Sequence, residues 1–318
     1  MSYAQFGTIQ AADFNTLVGG NPTSTANTLN AVWATGLSAG GYGQTAVANV
    51  TVGQTVASTA QWTALVANTA SAATHQGTSI TAVTAPAAGG VVTYVSAIPT
   101  NLTSIWGSRL NAASQGGTSA NTVTFASTWS SLLTFTHTAT FANGDAARYF
   151  FNAGGQIKMT VSHPSGTGIN LLLNNLASNV GTVAMSALNV SGTQVISGVS
   201  YNGITKIGGG GNAPTISATS GYYAQTVSNA NVFTQTASTG PAGYLSTFIR
   251  FITKSNGTQG ANGDTGSVIT IYTVWDEVPD GLVVSAGSAT TMTLVPPEST
   301  NIANTWGAVT LAGTASGV

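Results

Sequence analysis

Leu133-Thr-Phe-Thr-His-Thr-Ala-Thr-Phe141 runs through Asn143-Gly144 into Asp145-Ala-Ala-Arg-Tyr-Phe-Phe-Asn-Ala-Gly-Gly155, then on to Ile157-Lys-Met-Thr-Val-Ser-His163. The first and last runs alternate apolar with polar residues, the period of a half-buried strand. Between them Asn143 suits a helix N-cap and Asp145 the positive end of a helix dipole. Gly154 suits the left-handed residue that ends a helix. The reading is strand, short helix, strand, with the two strands paired and sharing one apolar face covered by Tyr149, Phe150 and Phe151. His137 and His163 then fall on inward faces, as hydrogen-bonded core histidines.

Downstream the period of two continues, interrupted by a helix over 169–178 with Leu171, Leu172 and Leu176. Val183–Val199 reads as strand and turn, Gly208–Gly211 as a flexible run, and Tyr222 to Thr234 as a hairpin. Leu245–Lys254 and Val268–Asp276 are the strongest strands, the second with bulk on both faces and so expected to be buried on both. Val283–Val295 is the last strand pair, ended by Pro296-Pro297. Gly257, Gly260, Gly263 and Gly266 fall at every third position. So short a run without proline reads as a polar loop rather than a triple helix. Asn256, Asn262 and Asp264 are the candidate exposed contact residues on it, too sparsely charged for a calcium site.

Upstream, three helical patterns precede the strands. Leu29, Val32 and Trp33 mark the first, ended by Gly36. The second opens on a capping box, Ser58 and Gln61, with the stripe Trp62, Leu65, Val66, Ala70 and Ala73. The third follows Pro99 with Leu102, Ile105, Trp106, Leu110 and Ala113. The last two share a Trp and a glycine turn and read as a packed pair. Residues 1–25 read as an attachment segment, with Phe6, Ile9, Phe14, Leu17 and Val18 as a patch too small to bury itself. It is expected to dock on a neighbour or on its own domain.

Only 4% of the 318 residues are charged, against roughly 25% in ordinary soluble domains. The six cations are scattered, which excludes an electrostatic footprint for nucleic acid or an anionic membrane. With no cysteine there is neither disulfide nor thiol chemistry. Mean hydropathy is +0.23, yet no apolar run approaches the roughly 20 residues that span a bilayer. The N-terminus lacks the blocks of a signal peptide, so synthesis in the cytoplasm is expected. A surface of hydroxyls and amides lacks the charge repulsion that keeps monomers apart, and suits either a subunit covered by copies of itself or a protein working outside the cell.

Candidate chemistry is thin. Gly36-Leu-Ser38-Ala-Gly40 matches the nucleophile-elbow spacing, but a helical pattern stands where a strand is needed. Asp276, Glu277, Asp280 and Glu298 are the only acid cluster, and they fall at a strand end and turn. His75, His137 and His163 have no metal-ligand spacing, and Gly208–Gly211 lacks the Lys-Ser/Thr of a phosphate loop. Tyr222, Tyr223, Tyr244, Trp275 and Trp306 are the aromatics that would stack on sugar if exposed. No catalytic residue, metal or cofactor is expected.

Several blocks carry a resemblance. Trp62 to His75-Gln-Gly-Thr78, Asn111 to Gly116, Asp145 to Gly155, Lys254 to Gly260 with Asn262-Gly-Asp264, and Trp306-Gly307 together resemble tailed-bacteriophage virion structural proteins of the tail or tail fibre. The blocks at 145–155 and 254–268 are the most specific. The resemblance implies a non-enzymatic part of a phage tail, baseplate or fibre, carried on the virion and made in the host cytoplasm. The partners it implies are other tail or baseplate proteins and further copies, a homotrimer first and a homohexamer second. A module binding host surface glycan is the alternative reading, and a tailspike hydrolase a third. The fold expected is α+β. It has an attachment segment (1–25), a helix-rich region (26–122) and a mainly antiparallel β domain with short inserted helices (123–318).

Overall fold

The computed structural model describes residues 11–51, 59–87, 96–187, 194–217, 220–240, 243–279 and 281–318. Its architecture is α+β, as expected, and the strands form two main antiparallel sheets. The five-stranded sheet has the order β1 (Ser119–Thr124), β12 (Ala289–Val295), β3 (Gln156–Ser162), β4 (Thr182–Met185), β7 (Ile204–Ile207). The six-stranded sheet has the order β13 (Thr310–Gly317), β2 (Leu132–Thr140), β11 (Val268–Asp276), β10 (Phe248–Ser255), β9 (Ala230–Thr236), β8 (Thr215–Ile216). A small hairpin joins β5 (Gln194–Ile196) to β6 (Val199–Tyr201).

The two sheets face each other. Ile157, Met159, Val183, Met185 and Ile204 of one approach Val232, Phe251 and Ile271 of the other around a void of about 10 Å3. That is no larger than one water requires. Polar bonds also cross between the sheets. His137 Nε2 on β2 lies 2.6 Å from Thr290 Oγ1 on β12. Lys206 Nζ on β7 donates to Gln235 Oε1 on β9 at 3.0 Å.

The deciding stretch folds as strand, helix, strand, but its two strands do not pair. β2 lies in the six-stranded sheet and β3 in the five-stranded one. Their apolar faces meet across the sandwich, because each has closer hydrogen-bonding neighbours in β11 and β12. The two histidines accordingly stay apart: His163 Nδ1 bonds Ser288 Oγ at 2.8 Å and its Nε2 meets Asn170 Oδ1 at 3.1 Å. The connecting helix α5 (Gly144–Asn152) starts where Asn143 Oδ1 accepts from the Ala146 amide at 2.8 Å. It ends at Gly154, whose φ of +88° only glycine adopts freely. Phe150 and Phe151 are fully buried and lie 5.3 and 6.1 Å from Phe141. Tyr149 instead is half-buried, its ring beside the Arg148 guanidinium and against Gly43.

The helical region is α1 (Ala11–Val18), α2 (Leu29–Val32), α3 (Thr59–Gln76) and α4 (Ala97–Gly107), with α3 packed on α4. Its buried face differs in detail from the expected stripes. Trp62, Leu65, Thr69, Ala72 and Ala73 face in, while Ala70 and Ala113 are exposed. α4 begins two residues before Pro99, which suits a first turn. Ser58, the expected cap, lies outside the described residues. Irregular backbone between these helices is paired by asparagine amides acting in both directions. Asn15 bonds the Val50 amide and carbonyl, Asn30 those of Val47, and Asn101 those of Thr81. A buried amide side chain thereby substitutes for a neighbouring strand.

The attachment-segment reading needs correction. Phe14, Leu17 and Val18 are interior, and the Phe14 ring packs edge-on against Trp62 at 5.2 Å. They belong to one buried apolar cluster that continues from α1 through α3 and α4 into the sandwich, so α1 docks on its own chain. Phe6 and Ile9 lie outside the described residues. Other elements also shifted. Residues 222–224 form a 3-10 turn rather than half a hairpin. β11 alternates, with Ile269, Ile271, Thr273 and Trp275 buried and Val268, Tyr272 and Val274 only half-buried. Of the expected pair at 283–295 only β12 is a strand. β13 was not foreseen, since Thr-Leu-Ala-Gly-Thr-Ala-Ser-Gly has little β-branched or aromatic content. Helix α6 (Ile169–Val180) forms as expected and packs on β3, β9 and β10; Leu172, Leu173 and Leu176 are buried and Leu171 is exposed.

Two measurements check this packing. Phe14→Ala is expected to cost about 3–5 kcal/mol in denaturant unfolding; a loss below about 1 kcal/mol would make α1 peripheral. Burial lowers the His137 pKa from 6.5 to about 4, and burial lowers those of His163 and His75 too. For His137, the unfolded chain binds its proton below about 6.5 and the folded chain only near 4, so stability falls as pH drops through that window. His137→Gln is expected to flatten the decline of the melting temperature there. An unchanged profile would remove His137 as its source.

Candidate functional site

The most concentrated polar chemistry among the described residues is at the C-terminal end of α3. His75 is fully buried, with Nδ1 2.9 Å from Glu298 Oε1 and Nε2 3.0 Å from the Ala153 carbonyl. Glu298 Oε2 also accepts from the amides of Thr300 and Asn301, and Oε1 from Asn301 Nδ2. The Tyr42 ring meets His75 edge-on at 5.2 Å, and its hydroxyl accepts from Gln76 Nε2 at 2.7 Å and donates to the Arg109 carbonyl at 2.9 Å. Burial lowers the His75 pKa, with the Glu298 carboxylate and the Ala153 carbonyl opposing it. Burial raises that of Glu298, but bonds from His75, Thr300 and Asn301 outweigh this and hold it at about 2.

A carboxylate–imidazole pair becomes a general base only if the second ring nitrogen reaches substrate. Here that nitrogen faces a backbone carbonyl inside the protein. The pair is a clasp: it ties α3 to the turn after α5 and to the segment that follows β12. The separation of 223 in residue number hid it from the sequence.

A second cluster holds the glycine turn at 36–43. Arg148 on α5 is fully buried; its Nη1 donates to the Gly40 carbonyl at 3.0 Å and its Nη2 to Asp145 Oδ1 at 3.0 Å. Asn152 Nδ2 donates to the carbonyls of Gly40 and Gly41, at 2.6 and 3.0 Å. Arg109 Nε donates to the Ala39 carbonyl at 2.7 Å, and the Tyr223 hydroxyl to that of Ser38 at 3.2 Å. A side chain on Gly36 would come within 2.3 Å of Gly41 Cα, so the fold of this turn needs glycine. Ser38 is exposed at φ +47°, yet the helix before it is α2 and the histidines spend nitrogens on Glu298, Thr290, Ser288 and Asn170. The turn gathers carbonyls toward cations and amides, whereas an oxyanion hole would present N–H groups.

The remaining candidates separate in space or fold inward. The acid cluster dissolves: Glu298 joins His75, Glu277 is buried with Oε1 accepting from the Leu282 amide at 3.1 Å, and Asp280 lies outside the described residues. In the 256–268 loop, Asp264 accepts from the amides of Gly260 and Ala261. Asn256 Oδ1 accepts from those of Ser267 and Val268. Of the three candidate contact residues, Asn256 and Asn262 are exposed and Asp264 is half-buried. Gly260 and Gly263 take φ of +121° and +81°, far from the polyproline angle of a triple helix. The loop instead docks on the start of α5, where the Gly263 amide reaches Asp145 Oδ1 at 3.3 Å.

Tyr222, Trp275 and Trp306 are buried and Tyr223 and Tyr244 half-buried, so these five form no open stacking platform. A groove of about 290 Å3 between α3 and α4 is lined by Val66, Ala73, Ile80, Val83 and Ile98 without a charged side chain. Among the described residues no three His, Asp or Glu side chains gather as metal ligands, and no helix is long and apolar enough to cross a membrane. No family model matches the sequence, and comparison with curated proteins and with solved structures finds no match either.

The clasp has a measurable consequence. Glu298→Ala leaves the buried His75 Nδ1 without its partner and is expected to cost about 1–3 kcal/mol, read by denaturant unfolding. The Glu298 pKa is depressed, so its contribution is present above about 4.5 and is lost as pH falls toward about 2. A variant as stable as the parent at neutral pH would show that the clasp holds nothing.

Proposed function

We propose that the chain is a non-enzymatic structural subunit of a tailed-phage virion, in the tail, baseplate or fibre, working as an assembly of identical copies. The observation that supports it best is how little charge reaches the surface. The chain has six basic and seven acidic residues in 318, and several of them serve the interior. Arg148 and His75–Glu298 are buried, Arg109 is bonded to the Ala39 carbonyl, and Lys206 bridges to Gln235. Among the described residues every charged side chain is at least partly buried, and the exposed positions carry mostly hydroxyl, amide and small apolar groups. Such a surface has little self-repulsion and suits a subunit flanked by its own kind and by other tail proteins. The sequence resemblance to virion structural proteins points the same way. Three or six copies are the expected assemblies.

Two measurements test it. Sedimentation of the purified chain is expected to give a multiple of 31.7 kDa; a monomer at every concentration reached would overturn the assembly. Antibody raised against the chain is expected to decorate intact tailed particles from the source of this sequence. Particles that stay unlabelled and lack the chain by mass spectrometry would overturn the location.

A further inference from the structure

The sheet edges are guarded unequally. β8 has two residues, and β7 has four and carries Lys206. β13 runs eight residues with no charge, no proline and an unbroken register against β2. Short length, lysine, proline and bulges are the devices that stop an edge from pairing with another chain, and β13 has none of them. β1, the six-residue uncharged edge of the other sheet, lies alongside β13, so one side of the sandwich presents both.

The hydrogen-bond parity shows which backbone groups are free to pair. The Val318 amide donates to Leu132 O, whereas Phe141 donates to Ser267 O and Glu277 to Ser131 O. β2 therefore uses even-numbered residues toward β13 and odd-numbered ones toward β11. On β13 the N–H and C=O of Leu311, Gly313, Ala315 and Gly317 point away from the sheet.

We propose that β13 pairs antiparallel with β13 of a second copy, about a twofold axis through Thr314, joining two six-stranded sheets edge to edge. In this register Leu311 lies opposite Gly317, Gly313 opposite Ala315, and Thr314 opposite itself. All four outward residues find partners, giving roughly eight backbone hydrogen bonds. Each inner-face pair sets a glycine against a side chain, so no two bulky groups collide. The outer-face pairs, Ala312 with Ser316 and Thr314 with itself, are exposed and uncharged. The inference rests on the proposed self-association and sharpens it. An isologous contact demands an even number of copies, which selects six copies, as two trimers joined back to back, over a lone ring of three.

The chain has no cysteine, so engineered ones report register cleanly. Facing residues of a non-hydrogen-bonded pair have Cα atoms about 4.5 Å apart, within disulfide reach. Thr314→Cys is expected to give a covalent dimer under mild oxidation, as is the double variant Ala312→Cys with Ser316→Cys, while Thr310→Cys alone stays uncrosslinked. Ala315→Pro removes an outward N–H and spares the β2 ladder, so it is expected to halve the sedimenting mass at unchanged melting temperature. Ala312→Lys is the second variant, should the proline perturb folding. An oligomeric parent whose Thr314→Cys form does not crosslink, and whose mass survives both edge variants, overturns the pairing and leaves self-association standing. A parent that is always monomeric overturns both.

Discussion

Taking the Arg148 guanidinium out of water is tolerable only because acceptors converge on it. A buried charge without partners costs several kcal/mol. Here Asp145 one turn earlier and the Gly40 carbonyl supply the partners. That requirement fixes more than one side chain. It places α5 against the 36–43 turn, where Asn152 adds two further bonds to the same carbonyls. It also orients the opposite face of α5, so that Phe150 and Phe151 fill the space beside Phe141 and Tyr222. Helical region and sandwich are joined at this helix, and their apolar cores run together there.

The same economy of charge recurs across the molecule. Where many proteins would use lysines and acids, this chain uses amides. Asn15, Asn30 and Asn101 pair stretches of backbone that belong to no sheet, and Asn256 does so at the foot of the 256–268 loop. An amide side chain carries both a donor and an acceptor, so it satisfies a peptide unit without the desolvation cost of an ion. The long irregular connections are thus compatible with burial. The consequence for function is a surface with few ions left to keep copies apart, and an edge strand with nothing to turn a second strand away.

Much of the architecture was legible one segment at a time. Asn143, Asp145 and Gly154 mark the limits of α5 by cap, dipole and left-handed turn, all local effects. The alternation of Leu133 to Phe141 and of Ile157 to His163 shows which side chains face inward. Composition shows the want of charge. These readings depend on residues within a few positions of one another, where periodicity and capping act.

Tertiary structure alone decided which strand lies beside which. Alternation gives β2 and β3 an inward face but is silent on whether the two faces share a sheet or oppose across one, because register pairing depends on neighbours more than a hundred positions away. The His75–Glu298 clasp, the burial of Phe14 and the position of β13 at an edge have the same origin. Each is a long-range contact whose partners carry no mark in sequence, and its stability comes from exclusion of water by the assembled chain.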